Sequence, residues 1–248
     1  MSWSKAGANP FTKVLPGYTA ARPTYPEAAL ATLLQHHPQQ VVELGAGSGT
    51  LTRSLLRHGM HVAAVEASEP MCKQLRQDTP DEFFTTGALS VHCTDAHHTG
   101  LPEKSADLVV AAQTWHWLDH QTACAEADRI LRPKGRLAIL YNQLDVSVPW
   151  VYRLTRIMRS GDVRRGDPPP LAAPFTTPTR TQIKWNRTVH AEDVIALGRT
   201  HASYLNASEN YRVKMQKNLL WYVYQHMGHS AGATITLPYL TDVWVTTR

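Results

Sequence analysis

The sequence predicts an α/β protein: a parallel sheet covered on both faces by helices. Three observations carry that prediction. Five short apolar runs of strand length alternate with helical patterns between residues 41 and 141. The runs are nearly continuous in apolar residues, as strands buried on both faces must be. The first run, Val41-Val42-Glu43-Leu44, breaks on three alternate glycines straight into a helical pattern.

The elements follow in order. Residues 1–25 are punctuated by proline and glycine and read as an arm, with Tyr18, Arg22 and Tyr25 close together. Pro26 suits the first position of a helix, Glu27 to Gln35, which His36-His37-Pro38 ends. After the first strand and its glycine turn, Thr50 to Arg57 reads as a helix and Gly59 stops it. His61 to Glu66 is a second strand with an acid at its C-terminal end. Ser68 caps the next helix, with Glu69 and Pro70 in its first turn and Met71 and Leu75 at helical spacing. Leu89 to Thr94 is a third strand, ending on Asp95-Ala96. Asp107 to Ala112 is a fourth, running into Gln113-Thr114-Trp115-His116-Trp117. A helix from about Asp119 to Leu131 is closed by Arg132-Pro133-Lys134-Gly135, with Gly135 expected in a left-handed turn, and Arg136 to Tyr141 is the fifth strand.

Beyond residue 142 the pattern changes. Trp150 to Arg159 reads as an amphipathic helix, and the proline-rich 161–178 as a loop or lid over the pocket. A strand at Ile183–Arg187, helices at Ala191–Tyr204 and Glu209–His226, and strands at Thr234–Tyr239 and Thr241–Thr247 follow. Trp185, Tyr204, Trp221, Tyr222 and Tyr224 are expected in the core or the pocket wall. The whole is one domain, 1–248. It divides into an arm and helix (1–40), a ligand-binding core (41–142), lid and pocket elements (143–230) and closing strands (231–248).

Composition narrows the function. At 248 residues the chain can bury a full core. No apolar run is long enough to span a bilayer, and Met1 to Ala8 lacks the apolar stretch of a leader. Cys72, Cys93 and Cys124 are scattered and odd in number, which fits reduced thiols in a cytoplasmic protein; neither they nor the thirteen histidines have metal-ligand spacing. A net charge of +5, dispersed along the chain, reads as a solvated surface rather than a nucleic-acid footprint. A monomer or homodimer acting on a small molecule is the expectation.

Three chemical signals stand at successive strand ends, where open α/β sheets bind ligands. The glycine turn brings backbone close to a ligand at a helix N-terminus. Glu66 can accept two hydrogen bonds from a ribose diol, and it repels a phosphate there. Asp95 can accept from an exocyclic amine, with Ala96 beside it. Together they describe a nucleoside lying across the sheet edge. The glycine spacing is G-x-G-x-G with Glu43 two residues before it. A dinucleotide site wants G-x-G-x-x-G, and Thr50 stands where its last glycine belongs.

Glu43-Leu44-Gly45-Ala46-Gly47-Ser48-Gly49 resembles the first motif of class I S-adenosylmethionine-dependent methyltransferases. Arg22-Pro23-x-Tyr25-Pro26, Gln113-x-Trp115-His116-Trp117-x-Asp119, Arg129-x-Leu131-Arg132-Pro133-x-Gly135, Pro149-Trp150 and Leu237-Pro238-Tyr239 extend the resemblance to residues 18–248. They are similar to a small-molecule subgroup with a W-H-W-F-D signature, of the trans-aconitate methyltransferase type; Leu118 replaces the phenylalanine. The resemblance implies a Rossmann-like, mostly parallel seven-stranded sheet with its last strand antiparallel, and S-adenosylmethionine as cofactor. It places Gly45, Gly47 and Gly49 under the methionyl part, Glu66 at the ribose, and Asp95 and Ala96 at the adenine. Gln113 reaches the methionyl amino group, and Tyr18 and Arg22 fold over the cofactor. Ala67 and Thr114, beside Glu66 and Gln113, count to the same site.

Methyl transfer needs alignment, exclusion of water and, for some acceptors, removal of a proton. His116, next to the expected methyl group, is the candidate base, against a merely structural role in the fourth strand's exit. Trp115, Trp117, Trp150 and Arg153 are candidate acceptor-binding residues, and Arg153, Arg156 and Arg159 hint at an acidic acceptor. Two other functions compete: a cyclisation or rearrangement on the same cofactor, and an NAD(P)-dependent oxidoreductase.

Overall fold

The computed structural model describes residues 17–160 and 166–248. The expectations for 1–16 and 161–165 lie outside the described residues. Seven strands form one sheet: β1 Gln40–Leu44, β2 His61–Val65, β3 Leu89–His92, β4 Ala106–Ala112, β5 Leu131–Leu144, β6 Thr179–His190 and β7 Thr234–Thr246. Their order is β3-β2-β1-β4-β5-β7-β6. The first five run parallel, and β7 is antiparallel to both β5 and β6.

The helices are α1 Tyr18–Ala21, α2 Glu27–Leu33, α3 Thr50–Arg57, α4 Glu69–Gln77, α5 Glu82–Thr85, α6 His120–Ile130, α7 Pro149–Met158, α8 Ala191–Arg199, α9 Ala202–Leu205 and α10 Glu209–Leu220. A 3₁₀ turn spans Trp115–Trp117, and a π-helical turn, Trp221–His226, continues α10. Strand alternation sorts the core into two layers. Val41, Leu108, Val110, Ala138 and Leu140 pack under α2 and α3. Val42, Val109, Ala111, Leu137 and Ile139 pack under α6. A third cluster joins α7, α8 and α10 to β6 and β7.

Several expectations need correction. Residues 17–25 are a packed element: Ala21 and Tyr25 are buried, and Arg187 of β6 donates to the carbonyls of Ala20 and Ala21. Pro26 is the N-cap of α2, with extended ψ, not its first helical residue. The left-handed residue before the fifth strand is Lys134, φ 68°, not Gly135. Gly135 is small for want of space, since a Cβ there would sit 2.8 Å from Leu131 Cδ2. The fifth strand, Leu131–Leu144, runs past both ends of Arg136–Tyr141, because β4 pairs with it from Ala106↔Leu131 and β7 as far as Leu144↔Tyr239. The two closing strands are one, β7, with Pro238 inside it. The helix expected at 191–204 breaks between α8 and α9. The described part of the proline-rich stretch, 166–178, covers the far face of the sheet rather than the cavity. Pro170 O accepts from Trp115 Nε1 at 2.9 Å, and Phe175 is buried in the layer under α6. Trp221 is 43% exposed rather than in the core.

Candidate active site

The C-terminal ends of β1, β2, β3 and β4 open into one cavity of about 240 Å³. One water needs roughly 10–15 Å³ by the same measure, so this space suits an extended ligand. Glu43, in β1, points into it while 1% exposed, and its Oε2 accepts from Thr52 Oγ1 of α3 at 2.6 Å. Burial pushes the Glu43 carboxyl up to about 8, against the opposing pull of Thr52 and Arg53. Gly45 has φ 71° and Gly47 φ 58°, values that L side chains rarely adopt. A Cβ at Gly45 would collide with Thr114, whose Oγ1 donates to Gly45 O at 3.0 Å. Around Gly47 a Cβ would meet nothing, so its backbone faces open space.

Glu66 lies just past β2. Its Oε2 accepts from Gly47 N and its Oε1 from Ser68 N, each at 2.8 Å. The carboxylate thus ties the glycine turn to the start of α4 and keeps a lone pair on each oxygen for a diol. Burial raises its pKa, and those backbone N–H groups oppose the rise. Ala67 and Met71 line the wall beyond it. Asp95 follows β3, with Ala96 buried next to it. Its Oδ1 accepts from both the backbone and the ring of His97, whose Nε2 accepts from Asp119 N at 2.9 Å. His97 therefore steadies the Asp95 carboxylate against the start of α6.

Gln113 leaves β4 with φ 58°, an uncommon state for a residue with a side chain and one that clusters at functional sites. Its Nε2 donates to Asn142 O. His116 and Trp117 complete that wall with ring centroids 4.8 Å apart. Tyr18 and Arg22 close the cavity from α1, and Ser160, Thr200 and His201 close it from α7's exit and the α8–α9 junction. Burial, and then the Arg22 charge, lower the His201 imidazole to about 3.

The structure thus gathers Tyr18, Arg22, Glu43, Gly45, Ala46, Gly47, Glu66, Ala67, Asp95, Ala96, Gln113, Thr114, His116 and Trp117 around one space. Four expected site residues do not line it. Gly49 is the N-cap of α3 with φ 83°, hemmed in by Leu75 and Arg53. Trp115 is fully buried under the sheet. Trp150 packs in the third cluster, and Arg153 lies over the rings of Trp221 and Tyr222. Arg159 likewise lies over Tyr211, so these cations serve helix packing. Sequence reasoning missed His201, Thr200, Ser160, Asn142 and the buried Tyr25. They come from four segments far apart in the chain, and only the fold brings them to the cavity.

Residues 42–139 match the family model described as a methyltransferase domain. An uncharacterised methyltransferase of Mycobacterium tuberculosis is 32% identical over 232 residues, 93% of this chain and 92% of that protein. An uncharacterised methyltransferase-like protein of Schizosaccharomyces pombe is 32% identical over 146 residues, 57% of this chain and 54% of that protein. Among solved structures, a type II methyltransferase from Anaeromyxobacter dehalogenans aligns with TM-score 0.63 at 19% identity, covering 91% of this chain and 96% of that one.

Proposed function

Since the chain belongs to the S-adenosylmethionine-dependent methyltransferases, we propose that it methylates a small-molecule acceptor on an oxygen, nitrogen or carbon nucleophile. One observation carries the reading. Glu43, Glu66 and Asp95 converge on a cavity in which, among the described lining residues, the one fixed cation is Arg22. That excess of carboxylates suits a donor bearing a sulfonium and an ammonium. When bound, the donor supplies an activated methyl group. Glu66 holds its ribose, Asp95 and Ala96 flank its adenine, and Gln113 and Arg22 hold its amino-acid end.

The acceptor side is bounded by His116, Trp117, Ser160, Thr200 and His201. The helices α1, α8 and α9 exclude water there and leave room for a small molecule, not a polymer. His116 takes the acceptor's proton; His201, with its imidazole held near 3, stays neutral and orients the acceptor by hydrogen bonding. The Trp115-His116-Trp117 turn and Leu237-Pro238-Tyr239 support placement in the small-molecule subgroup similar to the trans-aconitate type. No helix of the described residues is long and apolar enough to cross a membrane, and we place the enzyme in the cytoplasm.

The test pairs calorimetric titration of S-adenosylmethionine with mass spectrometry of reactions using a methyl-labelled donor and panels of small carboxylates, phenols and amines. Donor binding and a labelled product heavier by one methylene support the reading. A product of unchanged mass points to rearrangement, and binding of NAD(P) in place of the donor overturns the proposal.

A further inference from the structure

The exposed large apolar side chains of the described residues are four, Tyr152, Val213, Leu220 and Trp221, and they gather on one pair of helices. Tyr152 stands on α7, Val213 and Leu220 on α10, and Trp221 opens the π-helical turn that continues α10. Along α10 and that turn run two stripes of identical spacing. Met215, Leu219, Tyr222 and Val223 recur at i, i+4, i+7 and i+8, are buried, and pack in the third cluster. Val213, Lys217, Leu220 and Trp221 repeat that spacing two residues earlier and are exposed. Two residues are about 200° of helical turn, so the second stripe faces away from the protein.

α7 sorts its residues in the same way. Val151, Leu154 and Met158 are buried, while Tyr152, Arg153, Arg156 and Arg159 are exposed. The two outer faces are continuous, because Arg153 lies over the Trp221 ring at 5.7 Å and its Nη1 donates to His226 Nε2 at 3.3 Å. Cations are interleaved with the apolar side chains. In 149–160 and 209–228 the sequence holds Arg153, Arg156, Arg159, Arg212, Lys214 and Lys217 against one acid, Glu209. Among the described residues, Arg156, Lys214 and Lys217 form no ion pair.

We propose that this face docks on an anionic lipid bilayer, lying in the interface without crossing it. The excess of cations calls for an anionic partner. Val213 and Leu220 choose among such partners, since a nucleic acid offers phosphates to cations and bases to rings but no apolar phase for aliphatic side chains. A second copy of this chain brings the same cations and is repelled. A folded acidic protein needs apolar pockets matched to the spaces between its carboxylates. A bilayer supplies headgroup charge and an acyl phase all along the face, which suits cations and apolar side chains alternating within single turns. Val213 and Leu220 then enter the acyl boundary, the Trp221 and Tyr152 rings sit at headgroup level, and Arg156, Lys214 and Lys217 extend their stems to the phosphates. None of these residues lines the cavity, so the docking is tested apart from catalysis.

The experiment mixes the full chain with phosphatidylcholine vesicles, with and without phosphatidylserine, and measures binding by cosedimentation at low and raised salt. The expected result is binding roughly 10-fold tighter to the phosphatidylserine vesicles, weakened by salt. Tryptophan emission should shift to the blue and be quenched by brominated acyl chains, and Trp221→Ala should remove most of both changes. Lys214→Glu with Lys217→Glu should lower affinity by roughly 10-fold, and Leu220→Ser with Trp221→Ala by a similar factor. An unchanged thermal midpoint is expected for both pairs, because all four side chains are exposed. Failure to bind phosphatidylserine vesicles at low salt overturns the proposal. Binding that the lysine pair abolishes but the Leu220–Trp221 pair leaves intact, with no quenching, is adsorption by charge alone and overturns it as well. So does single-stranded RNA or an acidic protein held by these residues while vesicles are ignored, or a dimer that Trp221→Ala dissolves in place of vesicle binding.

Discussion

Glu43 is a buried carboxyl whose proton is held until a cation arrives. With its pKa up at about 8, it is mostly protonated at pH 7. A donor carrying positive charge favours the ionised form, so binding expels a proton and affinity rises with pH up to about 8. Titrations in buffers of different ionisation enthalpy should show that release at pH 7, and Glu43→Gln should abolish both the release and the pH dependence. His116 is tested by kinetics. His116→Ala should leave donor binding intact and lower turnover by roughly 100-fold or more if its ring removes a proton; unchanged turnover makes it a wall residue. The strand-end acids and Gln113 were legible in the sequence because each sits at a boundary that apolar patterning marks locally. His201 and Thr200 were not legible. Nothing in their own neighbourhood distinguishes them from other helix-terminal residues, and their position depends on how α8 packs against β6 and β7.

The element that decides access is α1, four residues long and too short to hold its own shape. Its stability comes from outside. Arg187 Nη1 donates to Ala21 O at 2.8 Å and Nη2 to Ala20 O at 3.0 Å, satisfying carbonyls at the helix C-terminus with a cation. Because Tyr18 and Arg22 reach the cavity from this helix, Arg187→Ala should loosen them. Donor Kd should rise by about 5- to 30-fold, or about 1–2 kcal/mol, with an unchanged thermal midpoint for the sheet; calorimetry and thermal denaturation together check this. Proline and glycine punctuate the arm, a pattern that predicts an unpacked segment. Its anchor lies 166 residues away, which no local pattern reports. Strands β1 to β4 are legible for the opposite reason, since each is a short apolar run between turn residues. β5, β6 and β7 outrun their apolar patterns because their ladder extends past the core into polar sequence: β6 alternates exposed and half-buried along most of its length.

For the whole molecule, two buried groups set opposing pH dependences. His201 is lowered to about 3 from an ordinary value near 6.5, so the unfolded chain binds more protons between those values and stability rises with pH across that window. Glu43 is raised to about 8 from 4.5, so the folded chain binds more protons there and stability falls as pH rises from about 4.5 to 8. Below 4.5 a further carboxylate matters: burial opposes, but hydrogen bonds from Arg129 and Thr99 prevail and hold Glu126 down to about 2, so its contribution is lost as acid is added. The thermal midpoint should therefore climb from pH 3 to about 4.5, stay nearly level to about 6.5 where the His201 and Glu43 slopes cancel, and decline between 6.5 and 8. Glu43→Gln should flatten the decline and leave the acid limb in place, as calorimetry across pH will read directly.

The order of the sheet also bears on how the protein is made. β7 lies between β5 and β6 although it is synthesised after both. Chains fold as they emerge, the earlier parts first, so β1 to β5 can pair and pack while β5 still presents a bare edge. β6 is then completed with no neighbour to accept it. For the time needed to make residues 191–234 the nascent chain carries two open ladders at once, the feature that templates pairing between molecules. Rapid overproduction lengthens exposure of those edges relative to the spacing between chains, and aggregation during synthesis, rather than loss of native stability, becomes the hazard that a holding chaperone would relieve.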